Sequence, residues 1–352
     1  MIWPGAYRHQ TSDSLRAVEA CEQAAMGGSA APAKFRKMGR LLLREDFLNG
    51  GYSHDLQQRT EAVVALATGK RREFWAYTRV FAGVRTVRSR AQAILLKNNV
   101  RSFYVAEHLS LKVSNPNEQA STHRVANEAR ARGRIRPTSS FTVPETTATG
   151  AADGNSYLLE ALLEGYGAMA NAGPAFAQQF VAFQRANAVS HGDGPGIAAL
   201  APALTDALAD LQLKMPRRIA AHLSRLERKG VAAEPWALCN GDLSRSNIFL
   251  KDGAYAITDW EFAKDGPAAL DAVRLATQFP AFSGHYIAAI GHPEAQTWLF
   301  LACLRSLLEH VARYRGLSGN PHDWAIRRKT ARKVRELLAL ADMLGGQNNL
   351  PH

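Results

Sequence analysis

The stretch from Trp236 to Glu261 constrains the fold more than any other part of the chain, because it carries a strong short-range hairpin signal. Two apolar runs, Ile248–Leu250 and Tyr255–Ile257, flank Lys-Asp-Gly. An Asp-Gly pair between such runs predicts a β-hairpin, whose two strands are antiparallel. The stretch is therefore a short strand-forming segment within a part of the chain that otherwise has helical periodicity.

Polar side chains stand at the open end of this hairpin. Asn247 immediately precedes the first strand and Asp259 closely follows the second, so antiparallel pairing brings both to the same end. Asp242 lies five residues before Asn247 in a predicted loop and can reach the same place. Amide and carboxylate oxygens suit Mg2+, which commonly takes one or two protein ligands and completes its shell with substrate phosphates. A further carboxylate can orient a hydroxyl and accept its proton, so the set predicts phosphoryl transfer.

The same residue types are also common in turns and helix caps, which is the alternative interpretation of this segment. A single Asp-Asn pair would not decide between the two. The ordered set of Asp242, Asn247 and Asp259 favours the catalytic interpretation.

This segment resembles the catalytic core of the aminoglycoside phosphotransferase and choline kinase-like family, the small-molecule branch of the protein-kinase-like fold. That family reads His-Gly-Asp-Leu, three variable residues, Asn-Ile, a strand pair and an Asp-Trp-Glu type motif. The resemblance implies that Asp242 is the catalytic base, that Asn247 and Asp259 bind Mg2+, and that Glu261 is a supporting carboxylate of the metal site. It also implies an α+β, bilobal protein-kinase-like fold with a small β-rich N-lobe and a large helical C-lobe.

Two further features bear on this resemblance. Asn240 occupies the position of the family's usual histidine, and an asparagine there can still hydrogen-bond the neighbouring backbone. Downstream, Asp265–Pro267 and Asp271 with Arg274 resemble the family's structural segment after the metal motif, so we expect them to stabilise the fold rather than to catalyse.

The nucleotide-binding residues are predicted upstream, by resemblance to kinase-like enzymes. Leu109–Val113 alternates as a strand and carries Lys112. A helix is predicted from Asn115 as cap to about Arg132, with Glu128 at the margin of its apolar stripe. The resemblance implies that Lys112 and Glu128 form the ion pair that holds the nucleotide phosphates.

Two other segments complete the predicted nucleotide side. Ser156–Ala161, which includes Glu160, resembles the strand and hinge between the lobes, where backbone groups receive an adenine or guanine edge. Lys97–Ser102 occupies the position of the phosphate-covering loop but contains no glycine, so Asn98 and Ser102 are the predicted phosphate donors there.

These patterns divide the chain into three regions. Residues 1–96 are predicted to be a helical N-terminal extension, residues 97–165 the N-lobe and hinge, and residues 166–352 the helical C-lobe with the hairpin. Phe74–Leu96 has helical spacing and carries four of the nine basic residues of a patch at residues 70–101. A helix that packs on a core is the favoured interpretation, and peripheral contact with anionic membrane is the alternative. Its basic residues are Lys70, Arg71, Arg72, Arg79, Arg85, Arg88, Arg90, Lys97 and Arg101.

Composition limits the remaining choices. With 352 residues, 46% of them hydrophobic and 21% charged, the chain is predicted to be globular rather than disordered or collagen-like. Its formal net charge of +12 favours anionic partners. Three separated cysteines, and an N-terminus without signal-peptide features, are typical of a protein in the reducing cytoplasm. No zinc finger or RNA-binding aromatic motif accompanies the basic patch, which disfavours a nucleic-acid partner.

The leading hypothesis is a Mg2+-dependent phosphotransferase that moves the γ-phosphate of ATP or GTP to a hydroxyl of a small molecule. A sugar, an aminosugar, an amino alcohol or a glycolipid precursor is an open choice of acceptor. The alternative is a catalytically degenerate kinase-like scaffold that binds a nucleotide or a protein partner, motivated by Asn240 and the glycine-free loop.

Overall fold

A computed structural model describes residues 4–35, 41–44, 85–91, 93–96, 101–106, 108–114, 119–163, 167–190, 196–315 and 323–346. The chain forms two compact units. The first unit combines Met1–Met169 with Arg245–Ala263, and the second combines Ala170–Ser244 with Lys264–His352.

The described helices and strands are mixed along the chain, which confirms the predicted α+β class. The helices are α1 (Pro4–Met26), α2 (Gln119–Arg134), α3 (Pro174–Ala186), α4 (Ile197–Asp210), α5 (Arg217–Lys229), α6 (Ala269–Ala276), α7 (Phe282–Ile290), α8 (Ala295–Arg315) and α9 (Asp323–Gly346). The strands are β1 (Pro32–Phe35), β2 (Leu41–Arg44), β3 (Arg85–Arg88), β4 (Ala93–Leu96), β5 (Arg101–Ala106), β6 (Leu109–Ser114), β7 (Phe141–Thr142), β8 (Thr146–Ala152), β9 (Asn155–Ala161), β10 (Gly167–Ala168), β11 (Trp236–Cys239), β12 (Ile248–Lys251), β13 (Ala254–Ile257) and β14 (Lys264–Pro267).

A six-stranded sheet is the centre of the first unit, with the strand order β2-β4-β5-β6-β9-β8. Its strands β5 and β6 form the antiparallel pair that the sequence predicts. Alternate residues of β6 serve opposite faces, because successive side chains of a strand point to opposite sides. Leu111 and Val113 belong to a hydrophobic core with Val18 and Cys21 of α1, whereas Lys112 contacts Glu128 of α2. The sheet is therefore covered by α1 on one face and by α2 on the other.

The N-terminal region is helical only in part. A helix is present over Pro4–Met26, but β1 to β4 are strands, and β3 and β4 lie within Phe74–Leu96. Because β2 and β4 join the six-stranded sheet, the predicted boundary at residue 97 cuts through this sheet. Apolar residues at helical spacing did not outweigh strand pairing with β5.

The basic patch at residues 70–101 can be followed only in part. Its residues before Arg85 lie outside the described ranges, as does Lys97. Arg88 is exposed on β3, and the Arg90 guanidinium donates to the carbonyl of Gly27 at 3.1 Å. No helix among the described residues is long and apolar enough to cross a membrane.

The predicted hairpin is confirmed as β12 and β13, which pair in the register Ile248↔Ile257 to Lys251↔Ala254. It groups with the first unit, although the sequence-based division placed it with residues 166–352. The physical reason is backbone pairing: β12 pairs with β10 and β13 with β7, and both of these short strands come from the first part of the chain.

The second unit is mainly helical and is built around α8, which is buried over most of its length. An aromatic cluster of Phe176, Phe180, Phe282 and Tyr286 joins α3 to α7. The strands β11 and β14 form an antiparallel pair in this unit, which places the loop after β11 near the start of α6.

Candidate active site

The loop after β11 is held by its backbone. Asp271 of α6 accepts hydrogen bonds from the N–H groups of Asn240 at 2.7 Å and Gly241 at 3.0 Å. The side-chain oxygen of Asn240 accepts the N–H of Asp242 at 3.2 Å, which is the backbone contact that the sequence predicts for an asparagine at this position. Gly241 has φ +77°, a left-handed conformation that favours glycine. Three successive N–H groups are thereby satisfied, and the position of Asp242 is defined.

Asp271 is buried, and its role in these bonds agrees with the predicted structural function of its segment. Burial raises the pKa of Asp271 to about 6, while the donors from Asn240 and Gly241 oppose the shift. The carboxylate form accepts hydrogen bonds from both backbone groups, and these bonds favour the charged form that burial disfavours.

The side chain of Asp242 remains accessible, with 46% of its surface exposed. The Arg274 guanidinium lies 3.4 Å from its carboxylate and also donates to the carbonyl of Gly241 at 3.4 Å. Arg274 is itself buried and lies 3.1 Å from Nε2 of His310. Because arginine can only donate, His310 accepts through Nε2 and is neutral. Burial and then Arg274 lower the pKa of His310 to about 2.

Two lysines of α9 belong to the same region of the second unit. Lys333 Nζ donates to the hydroxyl of Thr277 at 2.9 Å and lies 3.3 Å from the carboxylate of Glu336. Burial and the neighbouring Arg332 lower the pKa of Lys329 to about 7, while Asp242 opposes this shift. Neither lysine was among the residues predicted from the sequence. The signal that could have found them is the basic run of residues 327–335.

The open end of the hairpin lies in the first unit. The N–H of Thr258 donates to the carbonyl of Asn247 at 2.9 Å, so the residues before β12 and after β13 are neighbours, as the register predicts. Asn247 is buried, and Ser246 donates to its amide oxygen at 3.4 Å. Asp259 has φ +64°, an uncommon conformation for a non-glycine residue that recurs at functional sites.

The residues after Asp259 anchor this end of the hairpin. Trp260 is fully buried, and its indole N–H donates to the carbonyl of Ile257 at 3.1 Å. Asn127 of α2 donates to the carbonyls of Glu261 at 3.0 Å and Ala263 at 2.9 Å. The backbone of Glu261 therefore ties α2 to the segment that carries Asp259.

Within the described ranges, no three His, Cys, Asp or Glu side chains are grouped so as to hold a metal ion. A magnesium site of the predicted kind does not need such a group, because it uses one carboxylate and one amide oxygen and leaves the other positions to phosphates and water.

A second charged group is buried between the six-stranded sheet and α2. Lys112 Nζ lies 2.8 Å from Oε1 of Glu128 and 3.5 Å from Oε1 of Glu160. Arg132 Nη2 lies 2.8 Å from the same Glu128 oxygen and also contacts Glu160. The predicted Lys112–Glu128 pair is therefore present as a contact, within a cluster of two cations and two carboxylates. We refer to these four residues as the buried charge cluster.

Arg132 was predicted only as the end of the helix, and its part in this cluster was not foreseen. Its guanidinium also donates to the carbonyl of Pro144 at 3.1 Å. Burial lowers the pKa of Arg132, but the attraction of Glu160 and Glu128 outweighs it, so the pKa lies above its ordinary value. The spacing of Glu128 and Arg132, four residues apart on a helix, is the signal that could have identified it.

The other predicted nucleotide contacts have different outcomes. Glu160 lies in β9 with its backbone between β6 and β8, and its side chain joins the buried charge cluster. This placement differs from a hinge whose free backbone receives a base. Ser102 lies in β5, whereas Asn98 and the predicted helix cap Asn115 lie outside the described residues.

Comparisons with known proteins agree with this architecture. A model described as the phosphotransferase enzyme family matches residues 92–304. The GDP complex of aminoglycoside 2'-phosphotransferase-IIIa is similar, with a TM-score of 0.50 and 16% identity, over 69% of this chain and 90% of that chain. The GDP and kanamycin complex of APH(2")-IIIa also has a TM-score of 0.50, with 15% identity over 74% of this chain and 95% of that chain. These two likenesses show the predicted kinase-like fold.

A choline/ethanolamine kinase family protein from Mesorhizobium loti is similar with a TM-score of 0.42 and 16% identity, over 70% of this chain and 90% of that chain. Among curated proteins, none matches this chain.

Proposed function

Because the chain belongs to the phosphotransferase enzyme family, we propose that it moves the γ-phosphate of ATP or GTP to a hydroxyl of a small molecule, with Mg2+ as the metal. The observation that supports this proposal most directly is that Asp242 has a fixed backbone and an accessible carboxylate. Its backbone is held by Asn240 and its loop by Asp271, while 46% of its side-chain surface is exposed. A carboxylate that is held in place and still accessible is what a general base requires.

In the proposed reaction, an oxygen of Asp242 accepts the proton of the acceptor hydroxyl as that hydroxyl attacks the γ-phosphorus. The bond from phosphorus to the bridging oxygen breaks, and the nucleoside diphosphate leaves with the bonding electron pair. Arg274 is a positioning residue, because it contacts both the carboxylate of Asp242 and the carbonyl of Gly241. Little covalent work falls to the protein, so positioning and charge stabilisation supply the rate enhancement.

Lys112 is proposed to bind the nucleotide phosphates. The contact at 2.8 Å with Glu128 orients its ammonium group, and Glu160 and Arg132 complete the surroundings. Charge-assisted hydrogen bonds to buried carboxylates hold a lysine in a defined position. The position of this cation is therefore set before the nucleotide arrives.

Asn247 and Asp259 are proposed to hold Mg2+, with Glu261 as a supporting carboxylate. Asn247 supplies an amide oxygen and Asp259 a carboxylate from the same end of the hairpin, and this donor set suits a hard cation. When bound, the metal neutralises charge that develops on the transferring phosphate. The buried Trp260 fixes the backbone next to Asp259.

The structures with the same fold support the choice of a purine nucleotide as co-substrate, since two of them hold GDP. They leave the acceptor class open, and we expect an acceptor small enough to reach the exposed edge of Asp242.

Calorimetric titration of Mg-ATP and Mg-GTP into wild type, Asp259→Asn and Asp252→Asn tests the proposal. Asparagine tolerates a left-handed backbone, so both substitutions preserve φ +64° at Asp259 and φ +49° at Asp252 and remove only the charge. Asp252 is exposed at the turn of the same hairpin and is the matched control. We expect magnesium-dependent binding to weaken at least about tenfold in Asp259→Asn and to be unchanged in the control.

Two results would contradict the proposal. Equal magnesium-dependent binding in Asp259→Asn and wild type would remove Asp259 from the metal site. Absence of binding of both nucleotides to wild type would overturn the phosphotransferase assignment and favour a degenerate kinase-like scaffold.

A further inference from the structure

The charged groups around Asp242 indicate which class of acceptor the proposed phosphotransferase uses. We propose that the acceptor carries a phosphate or carboxylate group beside its reacting hydroxyl, and that Lys329 and Lys333 bind this anionic group. The inference rests on the proposed function, because it takes Asp242 as the base.

The two lysines are connected to the candidate base through the fold of the second unit. They are four residues apart on α9, so they share one face of the helix. Lys333 Nζ donates to Thr277, and the hydroxyl of Thr277 in turn donates to the carbonyl of Arg274. Arg274 contacts Asp242 at 3.4 Å. These hydrogen bonds link Lys333 to the backbone of Arg274, and the guanidinium of the same residue contacts Asp242.

Among the groups that shift the pKa of His310 and of the two lysines, cations outnumber carboxylates. Burial, and then cations from three helices, lower the pKa of His310, which is neutral and adds no charge of its own. The carboxylates that raise the pKa of the two lysines are Asp242 and Glu336, and both are partly exposed. The cations are Arg274 of α6, Arg313 of α8, and Lys329 and Lys333 of α9.

The burial and mutual repulsion of these cations have an energetic consequence. Burial lowers the pKa of both lysines, and neighbouring cations lower it further, because each disfavours the charged form. An anionic ligand would reverse this effect, because it supplies the opposite charge to groups that already lack full hydration. A polycationic acceptor would meet repulsion instead. The electrostatics of this site therefore favour an acceptor that is negatively charged.

A matched series of ligands tests the proposal directly. Glycerol, glycerate and glycerol 3-phosphate share a hydroxylated three-carbon frame and differ in the anionic group. Each is titrated calorimetrically into wild type, Lys329→Gln/Lys333→Gln and the control Arg328→Gln/Arg335→Gln. The control residues are exposed on the same helix, so the pair likewise removes two basic side chains from α9, away from the lysine face. Thermal unfolding of each variant checks that it is folded.

We expect wild type to bind glycerol 3-phosphate or glycerate, and glycerol at least about tenfold more weakly. The lysine double variant should lose at least about tenfold in affinity for the anionic ligand, and the control should change less than about twofold. The stronger of the two anions identifies a phosphate or a carboxylate as the recognised group. The same anion should also be the better acceptor when nucleoside diphosphate release from the preferred Mg-nucleotide is measured.

Three results would overturn the inference. Equal losses in the lysine variant and the control would show that only diffuse charge attracts the ligand. Equal binding of glycerol and its anionic analogues would remove the anion site. Loss of anion binding in Lys112→Met would show that the anion binds at the nucleotide-phosphate site instead.

The same protein samples are titrated with Mg-ATP and Mg-GTP, which separates the two proposals. Nucleotide binding without anion binding defeats this inference alone. Absence of nucleotide binding defeats the proposed function itself, whatever the anions do.

Discussion

Charged side chains are concentrated in two regions of the molecule, which differ in burial and in the balance between cations and carboxylates. In the buried charge cluster, Lys112 and Arg132 meet Glu128 and Glu160, so the charges balance and all four side chains are buried. Around Asp242, cations outnumber carboxylates and several side chains remain partly exposed. The charges of the first arrangement balance within the protein, whereas those of the second are proposed to be balanced by an anionic acceptor.

The physical reason for the difference is desolvation. A fully buried ion costs several kcal/mol unless it is paired and hydrogen-bonded, so an unbalanced cluster cannot persist in a dry interior. Near solvent, water and salt reduce the repulsion among like charges, and an unbalanced group becomes tolerable. We infer that the balanced cluster holds Lys112 in position for the nucleotide phosphates, and that the unbalanced group is available to bind the acceptor.

The largest expected effect is on catalysis at Asp242. Asp242→Asn should lower the turnover number by about 10²–10⁴-fold, because the general base is lost. Its free energy of unfolding should change by less than about 1 kcal/mol, since the ion pair with Arg274 is partly exposed at the carboxylate. Release of nucleoside diphosphate with the preferred acceptor measures turnover, and Asp252→Asn is the control. Wild-type turnover in Asp242→Asn would refute the assigned mechanism.

For the buried charge cluster we expect the larger effect of a substitution on the free energy of unfolding. Glu128→Ala leaves Lys112 and Arg132 buried with one carboxylate partner and should cost about 3–5 kcal/mol. The matched change in the cationic region, Glu336→Ala, should cost less than about 1 kcal/mol, because that side chain is 43% exposed. Urea unfolding measures both. Similar losses in the two variants would remove the distinction between the regions.

The smallest effect is a pH dependence that separates stability from binding. Lys329 has a pKa of about 7 in the folded protein against an ordinary value of 10.5, so between these values the unfolded chain binds the additional proton. Stability should therefore rise with pH across this window, and the rise should be smaller in Lys329→Met. Affinity for glycerol 3-phosphate should fall over the same window, because Lys329 loses its charge. Urea unfolding and calorimetry at pH 7 and about pH 9.5 test both directions.

The groups that shift the pKa of Lys329 are Arg332 and Lys333 of α9 and Asp242. A pH slope in Lys329→Met equal to that of wild type would assign the titration to another of these groups.

Local patterns of the sequence were sufficient for several elements. Asp252 and Gly253 favour a tight turn between apolar runs, and the hairpin β12–β13 has the predicted register. The alternation in Leu109–Val113 likewise predicted β6 and the strand position of Lys112. In the N-terminal region local patterns were misleading, because an apolar run such as Leu41–Leu43 is compatible with a helix or a strand. Pairing of β2 with β4 made it a strand.

Residues that are close together in the chain were enough to predict the candidate base, the two candidate metal ligands, the lysine strand and the family. Turn chemistry and strand alternation operate over such short separations, which is why they can be recognised without a structure. Three groupings emerged only after folding: α1 covers the sheet, Arg132 completes the buried charge cluster, and cations from α6, α8 and α9 surround His310. They join residues far apart in the sequence, and burial and Coulomb interactions depend on distance in space rather than on distance along the chain.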